Sequence, residues 1–333
     1  MKHTQILRLN IISFVVFLTV NLVSAQETKR NLEATDRPII PAELGKSVNN
    51  ESSTNGEAAG AVTASDAGAQ RPVKVKKSGV STFFGYNSKY FYRSNPLMSG
   101  TKLSNQKTAM WTNTFYSGVG LGVIDTDTAV ITPYVGASWT INDYIEGGLD
   151  KLNYNSTGAY AMLLAQYGSG WSSRVGVSYA SDSSTELDTE DYKEYFPNIG
   201  VMKAAALSDS LLGIFDASAG KHLTDTLNIL KGTDDGNLDN WEIASSYGLK
   251  WKATQRLSFS PQYRLSYKMY DDGDNKERED LTNMFTLRIA YKLASSVTLD
   301  LSSAYTDRST SGRTGLDFKN FDTGGGLSLT ARF

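Results

Sequence analysis

Long segments in which apolar and polar residues alternate fill most of the chain after residue 79, and they constrain its fold more than any other feature. In residues 241–252 the apolar positions are Trp241, Ile243, Tyr247, Leu249 and Trp251, and polar, small or basic residues stand between them. Residues 257–269 and 281–293 follow the same pattern. Side chains of a β-strand point alternately to opposite faces, so this pattern predicts two-faced strands. We therefore expect an all-β, antiparallel protein.

Two-faced strands can build a soluble sandwich or a membrane barrel, and strand length separates the two. The alternating segments run to about 12–15 residues, whereas strands of globular proteins are usually about 5 or 6 residues long. A tilted strand needs about 9 to 11 residues to cross a bilayer. Aromatic residues also gather near predicted strand ends, as in the interfacial girdles of membrane barrels, with Trp139, Tyr144 and the pair Trp251 and Phe259 as examples.

The predicted connections alternate between short and long, which also favours a barrel. Short turns are predicted at 140–143, 168–170, 208–210, 254–256 and 294–296, and longer polar stretches at 182–192, 224–240, 271–280 and 307–320. Short periplasmic turns opposite longer extracellular loops are typical of outer-membrane barrels. The sequence thus predicts a transmembrane β-barrel.

The last residues carry the most specific resemblance. Leu327, Leu329, Ala331 and Phe333 share one face, opposite small and polar residues. This segment resembles the closing strand of bacterial outer-membrane β-barrels. The resemblance implies that Leu327, Leu329 and Phe333 form the signal that the barrel insertion machinery reads. It also implies a place in the outer membrane, in contact with lipid and lipopolysaccharide.

The number of strands stays open between twelve and fourteen. Thirteen segments fit the pattern, at 80–93, 107–123, 129–141, 143–154, 158–167, 171–183, 194–207, 210–222, 240–253, 257–270, 281–293, 297–306 and 321–333. Single-chain bacterial barrels have an even number of strands, so we place the discrepancy between residues 80 and 123. Either 107–123 hides a turn or 80–93 is not a wall strand. Residues 85–93 resemble the first strand of several uncharacterised porin-like families, which favours fourteen.

Residues 1–78 differ from the barrel, predicted at 79–333. Lys2, His3 and Arg8 precede an apolar run at residues 11–23, and small residues end at Ala25, which predicts a cleaved signal peptide at 1–25. Residues 26–78 lack aromatic residues and show no sustained period, so they cannot bury enough apolar surface to offset their chain entropy. We expect a disordered periplasmic tether.

Composition excludes several classes of function. The net charge is −2, which argues against nucleic acid as a partner. The absence of cysteine excludes disulfides and thiolate metal sites. The carboxylate-rich residues 271–275 resemble a calcium loop but lack its full ligand pattern, so we expect a solvated loop. Neither a cofactor nor a metal is expected.

A barrel enzyme is an alternative that depends on one histidine. His222 is the single histidine after the predicted signal peptide, and Asp216 and Ser218 share its face. Ser218 lies four residues away along the strand, about 13 Å, which is too far for a nucleophile–base pair. A serine from a neighbouring strand would be needed. We expect a structural histidine and no enzyme.

Basic residues at the positions predicted to face the barrel interior suggest a different function. When the aromatic and aliphatic positions are assigned to lipid, the opposite positions of three consecutive strands carry Lys250, Lys252, Arg264, Lys268, Arg288 and Lys292. Acidic inward positions are predicted at Glu146, Asp150, Asp216 and Asp300.

The expected function is a porin-like channel for passive diffusion of small polar solutes, with basic residues suggesting anions, because wall charges select among solutes. Two alternatives remain: the enzyme, and a structural or adhesive barrel, with its charges mutually neutralised, that binds an envelope partner. Porins are often trimers, but no sequence feature fixes the oligomeric state.

Overall fold

The computed structural model describes residues 80–333 except 97, 99–106, 146–148, 169, 187, 227–237 and 313–315. The predicted signal peptide and tether lie outside the described residues. Within the described part, no helix is long and apolar enough to span a membrane.

Thirteen antiparallel strands are found in the described part of the chain. They are β1 Ser81–Arg93, β2 Thr108–Gly120, β3 Ile124–Asp125, β4 Ala129–Tyr144, β5 Tyr154–Tyr167, β6 Trp171–Ser184, β7 Thr189–Ser208, β8 Leu211–Thr226, β9 Asn240–Lys252, β10 Leu257–Tyr270, β11 Glu279–Ala294, β12 Val297–Ser311 and β13 Phe318–Arg332. Two short 3-10 turns, Asp150–Leu152 and Gly273–Asn275, lie in the connections.

Twelve of these strands close into a barrel. Each wall strand pairs with its neighbour in sequence, and β1 pairs with both β2 and β13, with Phe83 opposite Arg332 and Arg93 opposite Asp322. The two-residue β3 pairs only with β4, and β2 continues the wall by pairing with β4 itself. With strands about 4.8 Å apart and tilted about 40°, twelve strands enclose a cylinder roughly 24 Å wide between backbones.

The expected strand number needs a correction, because the error lies elsewhere than predicted. Residues 80–93 and 107–123 each contain one wall strand, β1 and β2. The turn predicted at 140–143 does not exist, since β4 continues to Tyr144. The strand predicted at 143–154 is not formed, since the described residues between Tyr144 and Tyr154 contain only the 3-10 turn Asp150–Leu152. Asn142 resembles a turn residue in sequence, but its side chain points into the polar interior and is 6% exposed. The count is therefore twelve, and fourteen is wrong.

The other four predicted short turns are confirmed. They join β5 to β6, β7 to β8, β9 to β10 and β11 to β12. Most of the connections at the opposite end are shorter than predicted, because the strands extend beyond the alternating segments. The connection from β6 to β7, for example, spans only residues 185–188 instead of 182–192.

The outer face of the wall is apolar and aromatic. Exposed large side chains include Trp111 and Trp241 toward the extracellular end and Trp171 and Trp251 toward the periplasmic end. Trp251 and Phe259 stack across their turn with ring centroids 5.4 Å apart. Two predicted girdle residues need correction. Trp139 stacks on Phe115 in the middle of β4, and Tyr144 is buried inside the barrel.

Several polar side chains on the outer face bond to a neighbour. Trp111 Nε1 donates to Ser88 Oγ at 2.9 Å, and Tyr263 Oη donates to Asn283 Oδ1 at 2.6 Å. Tyr86 and Asn113 form a similar pair. An unpaired polar group in hydrocarbon costs several kcal/mol, so these bonds make a lipid-facing wall tolerable.

Candidate functional site

The barrel interior is built by alternate residues of every strand, and its extracellular half contains a buried carboxylate–histidine cluster. This cluster consists of Glu194, His222, Glu242, Arg264 and Lys268, from β7 to β10. His222 Nε2 lies 2.9 Å from Glu242 Oε2, and His222 Nδ1 lies 3.1 Å from Glu194 Oε2. Arg264 Nη2 donates to Glu242 Oε1 at 2.8 Å. The charges in the cluster thus compensate one another inside the wall.

The geometry of His222 does not suit catalysis on an outside substrate. Its side chain is 2% exposed, and its ring stacks on Phe196 with centroids 3.9 Å apart. Both ring nitrogens face carboxylate oxygens, which can only accept hydrogen bonds when ionised. An accessible general base is therefore not found at this residue.

A second buried group, the arginine cluster, lies beside the first on β10 to β12. Arg278 donates to both oxygens of Asp280, at 2.9 and 2.6 Å. Thr310 Oγ1 and Tyr270 Oη also donate to Asp280, and Arg308 lies 3.4 Å from it. Two guanidinium groups and one carboxylate are thus removed from water together.

Loop residues fold into the extracellular mouth and form an apolar cap. Leu149 and Leu152, from the β4–β5 loop, pack with Met110, Tyr144 and Tyr154 on the inner wall. On other sides of the mouth, Met98 packs on Phe318, and Leu238 packs on Tyr192 and Tyr270. The cap narrows the extracellular end of the interior.

The periplasmic half has an inward aromatic cluster that the sequence pattern did not predict. It consists of Phe83, Tyr134, Met162 and Leu164, with Tyr116 and Tyr160 packed against them. Inward glycines make room for the rings, since a Cβ at Gly118 or Gly136 would lie within 2.7 Å of the Tyr160 hydroxyl. Assigning aromatic residues to the lipid face missed this cluster. Gly118 and Gly136 occupy inward-facing positions in the alternating pattern, and glycines there leave room for large side chains. That pattern could have indicated the cluster.

The predicted basic residues separate into two sets. Lys250, Lys252, Arg288 and Lys292 lie on the inward phase and are partly or fully exposed. Arg264 and Lys268 belong to the carboxylate–histidine cluster, and Lys268 is buried. The structure therefore does not bring the six residues into one basic patch.

Of the four predicted acidic residues, Asp216 and Asp300 lie on β8 and β12, where they pair with Arg174 and Arg288. Asp150 begins the 3-10 turn of the β4–β5 loop and is exposed, so its predicted place on the lumen wall is wrong, because the expected strand is not formed. Glu146 lies outside the described residues.

One cation of the inner wall was missed by the sequence pattern. Lys89 points inward from β1, where its stem passes over Gly326, and it is nevertheless exposed. Near it, Arg288 Nε donates to Asp300 Oδ1 at 2.8 Å. The alternation of Asn87, Lys89 and Phe91 with Ser88, Tyr90 and Tyr92 could have identified Lys89 as inward.

Two further predicted sites have simple surroundings. In residues 271–275, Asp271 binds Lys221 and Asp272 accepts from the Gly273 amide, and the described residues contain no group of metal-binding side chains. Phe333 exchanges backbone hydrogen bonds with Thr82 at the β1–β13 seam. With Leu329 and Ala331 it is exposed on the outer face.

Comparison with known proteins adds no family. No protein-family model matches the chain, and no curated protein matches it either. Among solved structures, an outer membrane channel from Pseudomonas putida F1 is 10% identical, with a TM-score of 0.48 over 78% of this chain and 99% of that chain. The β domain of the Bordetella autotransporter BrkA is 9% identical, with a TM-score of 0.44 over 76% and 100%.

Similarity at this level carries no conclusion about function, and the assignment rests on the barrel itself. In the closed antiparallel wall, each of the twelve strands is hydrogen-bonded to a neighbour on both sides. Lipid-facing aromatic residues lie at both ends of the wall. The chain is a transmembrane β-barrel of the bacterial outer membrane.

Proposed function

We propose that the protein is a porin-like channel for passive diffusion of small polar solutes, with anions favoured over cations. The observation that supports this most is exposure inside the wall. The Arg288 side chain points inward yet is 46% exposed, and Lys89 and Gln262 are also inward and exposed. Inward side chains reach water only where the interior holds open space, so a water-filled lumen fits these three residues.

The charge of the wall supports the preference for anions. Inward lysines at 250, 252 and 292 lie toward the periplasmic end of β9 and β11. Cationic side chains on a low-dielectric wall raise the local concentration of anions. The charges of Arg264 and Lys268 are opposed by Glu242 and its neighbours, so they add little to this preference.

Single-channel recording tests the proposal. The purified protein should give discrete conductance steps in planar bilayers. The triple variant Lys250→Gln, Arg288→Gln, Lys292→Gln should shift the reversal potential in a salt gradient toward cations. Lys203→Gln is the matched control, because Lys203 lies on the outer face beside Trp171, and it should leave the reversal potential unchanged. An unshifted potential in the triple variant would contradict the role of these cations.

A second candidate, a closed structural barrel that binds an envelope partner, is favoured by the apolar cap. Leu149 and Leu152 fill one side of the mouth, so truncating both to alanine should raise the conductance of a channel. If neither the wild type nor this variant conducts, the closed barrel is the better description. Recognition of Leu327, Leu329 and Phe333 by the insertion machinery stays a proposal under either function.

A further inference from the structure

We propose that Lys89 and Arg288, held above Asp300, form a binding seat for the oxyanion group of a solute, a carboxylate or a phosphate. The inference rests on the proposed channel function and names the chemical class that the lumen binds. The seat differs from the predicted basic wall, because it needs Lys89 from β1 and the seam strands between β11 and β1.

The orientation of Arg288 is fixed by a chain of hydrogen bonds. Its Nε and Nη2 lie 2.8 and 2.6 Å from Asp300 Oδ1. Ser328 Oγ donates to Asp300 Oδ2 at 2.8 Å, and Asn87 Nδ2 donates to Ser328 Oγ at 2.7 Å. Both oxygens of Asp300 are thereby occupied, so the guanidinium group is held before any ligand arrives.

The carboxylate is hidden beneath the cation that it holds. The Asp300 side chain is 4% exposed against 46% for Arg288. A solute in the lumen therefore meets the guanidinium group and not the carboxylate. The Arg288 Nη1 group has no hydrogen-bond partner among the described residues and is left for a ligand.

Lys89 brings a second cation to the same place. Lys89 is directly opposite Gly326 on β13, and Gly326 is directly opposite Asp300 on β12. Three residues in one row across adjacent strands put the Lys89 and Asp300 Cα atoms about 10 Å apart, within reach of a lysine side chain. Gly326 leaves space for the stem, since a Cβ there would lie 2.7 Å from Lys89 Cγ. Within the described residues, Lys89 forms no ion pair.

Lys89 and Arg288 are both inward and exposed, and their charges are close enough to act on each other. Two such cations suit an oxyanion. A guanidinium edge and an ammonium group can share the oxygens of a carboxylate or phosphate, and such charge-assisted bonds are stronger than neutral ones. The buried clusters nearer the extracellular end offer no comparable site, because their cations already contact carboxylates and are shielded from the lumen.

Calorimetric titration of the full chain in detergent micelles tests the seat, with inorganic phosphate and acetate as the probes. Wild type should bind at least one of the two probes, and the tighter one names the class of solute. Lys89→Gln and Arg288→Gln should each weaken binding about tenfold, as expected for losing one charge contact in a partly desolvated site. Lys89→Arg keeps the charge and should retain most of the affinity.

Lys203→Gln is the matched control, since it removes a lysine from the outer face of the wall, beside Trp171. It should change affinity by less than about twofold, because charges farther apart than a Debye length are largely screened. Heat-modifiable migration in gels should show that each variant is a folded barrel. The seat is overturned if wild type binds neither probe, or if Lys203→Gln weakens binding as much as Lys89→Gln.

Binding and conduction can fail separately. If the barrel is silent in planar bilayers but binds a probe through Lys89 and Arg288, the seat stands and the channel function fails. If it conducts but Lys89→Gln does not alter probe binding, the channel stands and the seat fails.

Discussion

The two halves of the barrel interior are filled by different means. The extracellular half contains buried charged side chains that pair with opposite charges, around His222 and around Asp280. The periplasmic half, on β1 to β5, contains aromatic and aliphatic side chains that pack around inward glycines. One half depends on pairing charges and the other on fitting shapes, so the same kind of substitution should have different effects in the two halves.

The largest effect is expected from breaking a buried charge group in the extracellular half. Asp280→Ala leaves Arg278 and Arg308 buried without their carboxylate. Loss of one partner of a buried ion pair typically costs about 3–5 kcal/mol. Urea unfolding of the refolded barrel should show a loss of this size.

Asp307→Ala is the control for that prediction, because its pair with Lys319 is partly exposed. An exposed pair contributes about 1 kcal/mol or less. If Asp280→Ala and Asp307→Ala lowered the free energy of unfolding equally, the buried arginine cluster would contribute no more than an exposed ion pair.

A smaller effect of opposite sign is expected in the aromatic cluster. The Tyr160 hydroxyl is buried and has no hydrogen-bond partner among the described residues. Tyr160→Phe keeps the ring and removes that hydroxyl, so the free energy of unfolding should rise by about 1 kcal/mol. Tyr116→Phe is the contrast, because the Tyr116 hydroxyl bonds Thr330 at 3.1 Å. Tyr116→Phe should therefore destabilise the barrel. If both variants stabilised it, the difference between the unpaired and the paired hydroxyl would be refuted.

The smallest effect is expected on the outer face. This surface belongs to neither half of the interior and therefore serves as a reference for both. Ser303 and Thr323 share a hydrogen bond of 2.8 Å between β12 and β13. A double-mutant cycle with Ser303→Ala and Thr323→Val should give a coupling of about 0.6 kcal/mol, the usual size for polar pairs in membranes. A coupling above about 2 kcal/mol would mean that this surface is buried against another molecule.

Much of the wall could be predicted from local pattern. Alternation identified all twelve wall strands, at least in part, and four of the periplasmic turns, because strand phase and turn length are local properties. The turn predicted at 140–143 failed because the same Asn142 side chain suits a turn and a polar interior. Inward aromatic residues were missed because alternation gives two faces without saying which one meets lipid.

The interior contacts were largely beyond sequence analysis. The phase of β9 to β11 placed Arg264, Lys268 and Arg288 inside correctly, yet their partners depend on register between strands. Glu194, His222 and Glu242 meet only because Gly220 is opposite Glu242 and Asn198 opposite Gly220. Such alignments are set by the whole wall, so no local pattern reveals them.

Hydrogen bonding between β1 and β13 joins the first and last strands of the wall. Their partners are separated by almost the full length of the described chain, and such distant pairing makes folding slow. Until these strands meet, each presents a row of bare amide groups, which hydrocarbon does not solvate. We therefore expect the seam between β1 and β13 to close last, after the strands between them have paired.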